Sequence, residues 1–205
     1  MSARLILFLA ATLVAAAQDS APRTLVFLGD SLTAGLGLAN PTTESYPALI
    51  QAKINAAKLP WRVINAGVSG DTTAGGLHRI EWLLRRRIDL LVIALGGNDG
   101  LRGLDPAITQ ANLEANIDRA RARQPSIRIV IAGMEMPANL GPEYTARFRA
   151  VFPAVARSRQ CALIPFLLEG VGGIPALNQP DQIHPTAAGQ RRVADLVWAA
   201  LEPLL

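Results

Sequence analysis

Cysteine and histidine are scarce in this chain of 205 residues, and their scarcity narrows the chemistry open to it. The one cysteine, Cys161, has no partner for an internal disulfide, and its apolar surroundings favour a core role over that of a nucleophile. The two histidines form no H-E-x-x-H pattern, and no paired cysteines accompany them. We therefore expect no bound metal.

Basic residues outnumber acidic ones, but long basic runs are missing. The formal net charge is +4, arginine supplies most of the positive charge, and aromatic residues make up only 5% of the chain. The densest basic cluster, residues 85–87, ends a helical pattern, where basic side chains complement the helix dipole. This composition argues against nucleic acid as a partner. It leaves at most a weak, transient attraction to anionic lipid or acyl substrates.

The N-terminus has the pattern of a cleaved leader rather than of a folded element. Arg4 precedes an apolar run, residues 5–17, that is too short to span a bilayer comfortably. Ala15 and Ala17 stand two apart, as an A-x-A cleavage site requires, and no basic stop-transfer cluster follows. We expect a signal peptide over residues 1–17, a secreted or periplasmic bacterial protein starting near Gln18, and one domain over residues 18–205. A buried first helix or a membrane anchor are the alternatives.

Five short apolar runs alternate with longer amphipathic segments in the remaining sequence. Short, nearly continuous apolar runs are typical of parallel strands buried on both faces. The alternation predicts an α/β fold, a doubly wound, five-stranded parallel sheet with helices on both faces in a flavodoxin-like three-layer sandwich. The predicted strands are residues 24–28, 61–66, 90–95, 127–132 and 161–166. The predicted helices are residues 46–57, 77–87, 105–123, 142–159 and 185–201.

A serine stands where the first predicted strand ends, in the sequence Gly29-Asp30-Ser31. In doubly wound sheets, ligands bind beyond the carboxyl ends of the strands. Ser31 in the first turn of a helix would face that edge, and the partial positive charge of the helix N-terminus would favour its use as a nucleophile. On these residues alone, Ser31 could equally be only a helix N-cap. A phosphate-binding loop is a third interpretation.

Glycine-rich loops follow the second and third predicted strands, at residues 67–73 and 96–100. Gly70 can offer an unobstructed backbone N–H and Asn98 its side-chain amide, and both are suitable donors for an oxyanion. Each loop taken singly is an ordinary connection from a strand to a helix. Ser69 falls short of a G-x-S-x-G elbow because Asp71 occupies the position of the last glycine, so we interpret it as a loop residue.

An acid and a histidine stand three residues apart near the C-terminus. Asp181 can accept a hydrogen bond from Nδ1 of His184 within the same turn, which would fix the imidazole tautomer and stabilise the imidazolium. Pro185 is expected to open the last helix and hold the pair at its start. The other histidine, His78, has no acid at such spacing and is interpreted as a surface residue.

The four blocks around these residues together resemble the motif blocks of the SGNH, or GDSL, hydrolases. They occur in the family's order, each at a strand end, and the resemblance covers essentially all of the chain after the leader. Residues 68–72 and 95–103 are similar to the bacterial periplasmic acyl-CoA thioesterase I, lysophospholipase and arylesterase subgroup. The resemblance implies Ser31 as the nucleophile. It also implies that His184 is the general base, that Asp181 orients it, and that the oxyanion hole combines the N–H groups of Ser31 and Gly70 with the Asn98 amide.

The activity implied by the resemblance is hydrolysis of acyl esters or thioesters, such as aryl esters, acyl-CoA and lysophospholipids. The reaction would pass through an acyl-enzyme and need no cofactor. A carbohydrate deacetylase, of the kind that acts on xylan, is an alternative on the same scaffold. A non-catalytic phosphate- or flavin-binding protein is less favoured, because it would not need the Asp-x-x-His pair. We expect a small acyl substrate and a monomer.

An acyl chain would need an apolar groove beside Ser31. The residues after the third and fourth strands are candidates to line it, and methionines among them would adapt to flexible chains. These candidates are Leu101, Leu104, Met134, Met136 and Pro137. The alternative is that their side chains only pack the loops onto the core.

Overall fold

The computed structural model describes residues 21–205. The predicted signal peptide, residues 1–17, and its cleavage site before Gln18 lie outside the described residues. Within the described range, no helix combines the length and the apolar character needed to cross a membrane.

All five predicted strands form and make one parallel sheet, which confirms the predicted fold class. The strands are β1 (Arg23–Gly29), β2 (Trp61–Gly67), β3 (Leu90–Ala94), β4 (Arg128–Ala132) and β5 (Ala162–Ile164). Their order across the sheet is β2-β1-β3-β4-β5, so the chain winds outward from β1 in both directions. The last strand is shorter than predicted. Pro165, directly after it, has no N–H with which to extend the ladder.

Eight α-helices occur in the described part of the chain, three of which have only four or five residues. They are α1 (Ser31–Ala34), α2 (Pro41–Glu44), α3 (Tyr46–Ala56), α4 (Thr73–Leu83), α5 (Gly97–Leu101), α6 (Pro106–Arg123), α7 (Pro142–Ser158) and α8 (Ala187–Leu201). Helices α3 and α8 pack against each other, whereas α4, α6 and α7 form a second group. The sheet therefore lies between two helical layers, as a doubly wound fold requires.

The burial of the strands follows their place in the sheet. All four side chains of residues 25–28 in β1 are fully buried, and β3 is buried along its whole length. The edge strand β2 is only half-buried, so the expectation of strands buried on both faces is wrong for β2. A side chain protects this edge instead: Gln51 accepts a hydrogen bond from the Val63 N–H at 2.6 Å and donates to the Trp61 carbonyl at 3.3 Å.

Two of the predicted helices have wrong boundaries. Helix α4 begins at Thr73, four residues earlier than predicted, because the Thr72 side chain caps it by accepting from the Gly75 N–H at 3.2 Å. It also ends at Leu83, so the arginines at 85–87 lie beyond it. Helix α8 begins at Ala187 and not at Pro185, because Pro185 pairs with Asn178 in an isolated β-bridge and Thr186 supplies the cap.

Candidate active site

Ser31 is the first residue of α1, the single helical turn that follows β1. The N-cap of this turn is Asp30, whose Oδ1 accepts a hydrogen bond from the Leu32 N–H at 3.0 Å. The interpretation of Ser31 as only an N-cap is therefore wrong. Gly29 allows the chain to turn this tightly, since a Cβ there would collide with the Thr33 hydroxyl. The hydroxyl of Ser31 is left free for another partner.

That partner is His184. Its Nε2 lies 2.8 Å from the Ser31 Oγ, and its Nδ1 lies 2.6 Å from Oδ2 of Asp181. The other carboxylate oxygen of Asp181 accepts the backbone N–H groups of Ile183 at 2.9 Å and of His184 at 3.0 Å. These bonds, with the His184 N–H first, hold the pKa of the Asp181 carboxyl at about 2. Serine, imidazole and carboxylate thus form one unbroken chain of hydrogen bonds.

A glutamine fastens the His184 loop to the segment that carries Ser31. The backbone N–H of Gln179 donates to the His184 carbonyl at 2.7 Å, and its side-chain amide donates to the Leu36 carbonyl at 2.7 Å. Within this loop Gln182 adopts a left-handed conformation, with φ of 58°, which a residue with a side chain rarely does. The sequence does not predict the bond from Gln179 to Leu36, because it joins residues 143 positions apart.

The residues that carry the three expected oxyanion donors, Ser31, Gly70 and Asn98, line the same cleft as His184. Gly70 has a φ of +79°, which glycine adopts without strain. Among residues 21–205, the N–H groups of Ser31 and Gly70 donate to no other protein group. The Asn98 amide nitrogen also lines the cleft; it donates to the Asp71 carbonyl at 2.9 Å and, over a longer 3.5 Å, to Oδ2 of Asp30.

A buried cluster behind the cleft fixes the loop that carries Asn98. Asp99 is fully buried and accepts hydrogen bonds from both the backbone N–H of Thr73, at 2.9 Å, and the Thr73 hydroxyl. Asn116 on α6 donates to the Thr73 carbonyl at 3.1 Å. These contacts join α5, α4 and α6. Asp99 thus ties the loop of Asn98 to the start of α4.

Asp30 also lines the cleft, next to Ser31, and it is only 2% exposed. Burial raises its pKa from 3.8 to about 6, against the opposing effects of the Leu32 N–H bond and of nearby His184. Asp71 adds a smaller upward contribution. An acid with such a pKa changes charge within the pH range in which hydrolases are assayed.

The cleft above Ser31 has a volume of about 710 Å³ and is lined mostly by apolar side chains. Four of the five predicted groove residues line it, namely Leu101, Met134, Met136 and Pro137. Met136 lies directly on Gly100, and Met134 lies near Gly97, so small residues on α5 make room for both methionines. Leu104 is not among the lining residues. Its carbonyl accepts the Tyr144 hydroxyl at 2.8 Å on the outer side of the loop.

Several lining residues have no counterpart in the sequence-based prediction. They are Leu36 after α1, Phe166 and Leu168 after β5, and Ile183 beside the imidazole. Phe166 and Leu168 follow a strand end just as Met134 does, so the rule that ligands bind beyond strand ends identifies them once β5 is known to be short.

Three other residues considered in the sequence do not line the cleft. Ser69 lies in an exposed loop, and His78 is exposed on α4. Burial raises the pKa of the Cys161 thiol.

The fold and this arrangement of side chains define the class of α/β serine hydrolases. The family of GDSL-like lipases and acylhydrolases matches residues 27–192. The chain is 45% identical to esterase TesA of Pseudomonas aeruginosa, over 94% of each chain. It is 36% identical to thioesterase 1/protease 1/lysophospholipase L1 of Escherichia coli K12, over 95% of this chain and 88% of that protein.

Solved structures agree with the sequence comparison. The crystal structure of the psychrotrophic esterase EstA from Pseudoalteromonas, inhibited by monoethylphosphonate, superposes with a TM-score of 0.83 at 30% identity. The match covers 89% of this chain and 98% of that one. The chain therefore belongs to the GDSL-like lipase and acylhydrolase family, the SGNH hydrolases, and it is a hydrolase of acyl esters or thioesters.

Proposed function

We propose that Ser31 is the nucleophile, His184 the general base and Asp181 its orienting acid in a hydrolase of medium- and long-chain acyl esters and thioesters. The observation that carries the proposal is the continuous hydrogen-bond chain from the Ser31 Oγ through both imidazole nitrogens to Asp181, at 2.8 Å and 2.6 Å. A relative named thioesterase 1/protease 1/lysophospholipase L1 supports thioesters and lysophospholipids as substrates.

The proposed reaction follows from these positions. His184 Nε2 takes the hydroxyl proton as the Ser31 Oγ attacks the acyl carbonyl, and Asp181 stabilises the resulting imidazolium. The N–H groups of Ser31 and Gly70 and the Asn98 amide would receive the oxyanion. Collapse of the tetrahedral intermediate breaks the bond to the alcohol or thiol, which leaves with the proton from His184. Water, activated by the same imidazole, then releases the acid and restores Ser31.

The preference for longer acyl chains rests on the lining of the cleft. Met134, Met136 and Phe166 offer apolar surface beyond the serine, and each buried acyl CH₂ contributes up to about 0.8 kcal/mol. We expect kcat/KM to climb with chain length until the groove is filled. A site for acetylated sugar would not need this surface, which is why we place the deacetylase second.

A substrate panel tests this proposal. We expect kcat/KM for p-nitrophenyl esters to rise from acetyl towards longer acyl groups, together with turnover of a long-chain acyl-CoA and a lysophospholipid. Met134→Phe should move the optimum to shorter chains, while Leu104→Phe is the matched control, because Leu104 does not line the cleft. A steep preference for acetyl esters, with turnover of acetylated xylan, would favour the deacetylase instead.

We further propose that the protein is exported, that it is cleaved between Ala17 and Gln18, and that it acts as a monomer. The apolar run at 5–17 and the A-x-A pattern support export, and the presence of all three catalytic candidates in one chain supports a monomer. Mass spectrometry of protein from a bacterial periplasm should show a chain that starts at Gln18. An intact Met1 in the membrane fraction would favour an anchor. Light scattering should give the mass of one mature chain.

A further inference from the structure

Exposed apolar side chains are concentrated around the mouth of the cleft. Over residues 21–205, eight large apolar side chains are exposed, and three of them, Leu36, Leu101 and Ile183, line the cleft. Two more stand beside glycines that line the cleft. Val68 lies two residues before Gly70, and Ile174 directly follows Gly173. We call these five side chains the rim. Each of them is between 41% and 49% exposed.

Polar bonds hold the loops that carry the rim. The Leu36 carbonyl accepts the Gln179 side chain, which fastens it to the loop of Ile183 and His184. Arg102, next to Leu101, donates to the Gly70 carbonyl at 2.9 Å, two residues after Val68. The apolar side chains of the rim are thus presented by anchored loops, and they are not the loose ends of a poorly packed core.

Exposed apolar side chains that gather at the mouth of a cleft indicate a contact surface, because exposed apolar patches on a folded domain are otherwise small. The rim is continuous with the apolar lining of the cleft through Leu36, Leu101 and Ile183, which belong to both. A protein seated on the rim would close the mouth to substrate. A lipid surface would not, because it is itself the source of acyl chains.

We propose that the rim docks the enzyme onto the surface of aggregated lipid, a micelle or a bilayer of zwitterionic phospholipid, so that an acyl chain enters the cleft without crossing water. The inference rests on the proposed function of the cleft. Charges of both signs stand near the mouth, among them Arg102, Glu135 and Asp181, so apolar contact and not net charge must supply the attraction. Docking should therefore depend little on salt.

A second surface, around Trp82, would hold the protein on a membrane in the opposite orientation. Trp82 is 58% exposed on α4, and the guanidinium of Arg86 lies over its ring, in the basic cluster at 85–87. This cluster precedes β3, at the end of the sheet away from the cleft. Docking through it would need anionic lipid and would turn the cleft away from the membrane.

Binding is tested with Ser31→Ala protein, so that no lipid is consumed. Flotation with phosphatidylcholine vesicles should show binding that survives high salt. Adding Val68→Ser and Ile174→Ser should weaken it by roughly tenfold or more, since two large apolar side chains leave the contact. Trp82→Ser, the matched control, should have no effect. Binding that is unchanged in the double variant, or that requires anionic lipid and is lost with Trp82→Ser, would overturn the proposal.

Turnover separates docking from chemistry. With the active serine present, Val68→Ser/Ile174→Ser should hydrolyse soluble p-nitrophenyl butyrate at the wild-type rate, because neither side chain lines the cleft. Its kcat/KM on lysophosphatidylcholine micelles should fall in proportion to the lost binding. Equal activity on micelles would contradict docking at the rim. Failure of the wild type on every ester would contradict the proposed function instead, and the flotation result would still decide whether the rim binds lipid.

Discussion

The two halves of the candidate active site are built in different ways. The half with Asn98 and Asp30 rests on two buried carboxylates, Asp30 and Asp99. Contacts between distant parts of the chain hold it, as in the hydrogen bonds that Asp99 accepts from Thr73, 26 residues away. The half with Asp181 and His184 is held mainly within one turn, through bonds that span two or three residues. The Asp181 side chain is 44% exposed.

This difference separates what stabilises the protein from what would perform the chemistry. A buried carboxylate that accepts several hydrogen bonds stabilises the fold, so its removal should lower the free energy of unfolding. An exposed carboxylate that a local turn positions contributes little to stability. We therefore expect substitutions in the Asp181 turn to change catalysis alone and substitutions behind Asn98 to change stability. The predictions below test that division, beginning with the largest effect.

The first concerns Asp181. Asp181→Asn should lower kcat by about 10⁴, because an amide cannot hold the Nδ1–H tautomer of His184 or stabilise its imidazolium. The midpoint of thermal unfolding should hardly move, since an amide oxygen can still accept the Ile183 and His184 N–H groups. Steady-state kinetics on a p-nitrophenyl ester, together with calorimetry, measures both. A loss below tenfold would mean that the imidazole acts without this carboxylate.

The second concerns Asn98, which we propose as an oxyanion donor. Asn98→Ala should reduce kcat by roughly 10²–10³ and leave KM nearly unchanged, as expected for a donor that binds only the transition state. Asn112→Ala is the control, because Asn112 contacts the Thr73 hydroxyl behind the site and does not line the cleft. A change confined to KM would show that Asn98 binds the substrate ground state.

The third concerns the buried half directly. Asp99→Ala leaves the Thr73 N–H without its acceptor and should lower the free energy of unfolding by about 1–3 kcal/mol. Asp181→Ala, at an exposed position, should lower it by much less. Urea titration of both variants compares the two values. Equal losses would erase the distinction between the two halves.

The fourth and smallest concerns the charge on Asp30. A carboxyl whose pKa rises on folding, here from 3.8 to about 6, favours the folded state below pH 3.8 and loses that contribution as the pH rises through about 6. Asp30→Asn should therefore raise the stability at pH 7.5 by about 1–2 kcal/mol, and the gain should vanish near pH 4.

Asp105→Asn is the matched control for Asp30, because Asp105 caps α6 with the same geometry but at the surface. Its effect on stability should show no comparable change between pH 4 and 7.5. A pH-independent effect of Asp30→Asn, equal to that of Asp105→Asn, would mean that folding does not raise the pKa of Asp30.

Much of this organisation can be predicted from the sequence, and the exceptions are tertiary in origin. The buried strands and the polar residues at their ends follow from local pattern, and so does the pairing of Asp181 with His184. The start of α8 does not, because the bridge between Asn178 and Pro185 decides it. Nor does the groove, since whether Leu36 or Leu104 lines it depends on how two loops pack.

The central claim is that Ser31 is the nucleophile, and covalent labelling tests it most directly. The wild-type protein is treated with a fluorophosphonate, digested and mapped by mass spectrometry, alongside Ser31→Ala and Ser69→Ala. We expect one adduct, on Ser31. The Ser31→Ala protein should lose both the adduct and the turnover of ester, whereas Ser69→Ala should keep the adduct. An adduct on Ser69, or a Ser31→Ala protein that still labels and turns over ester, would contradict it.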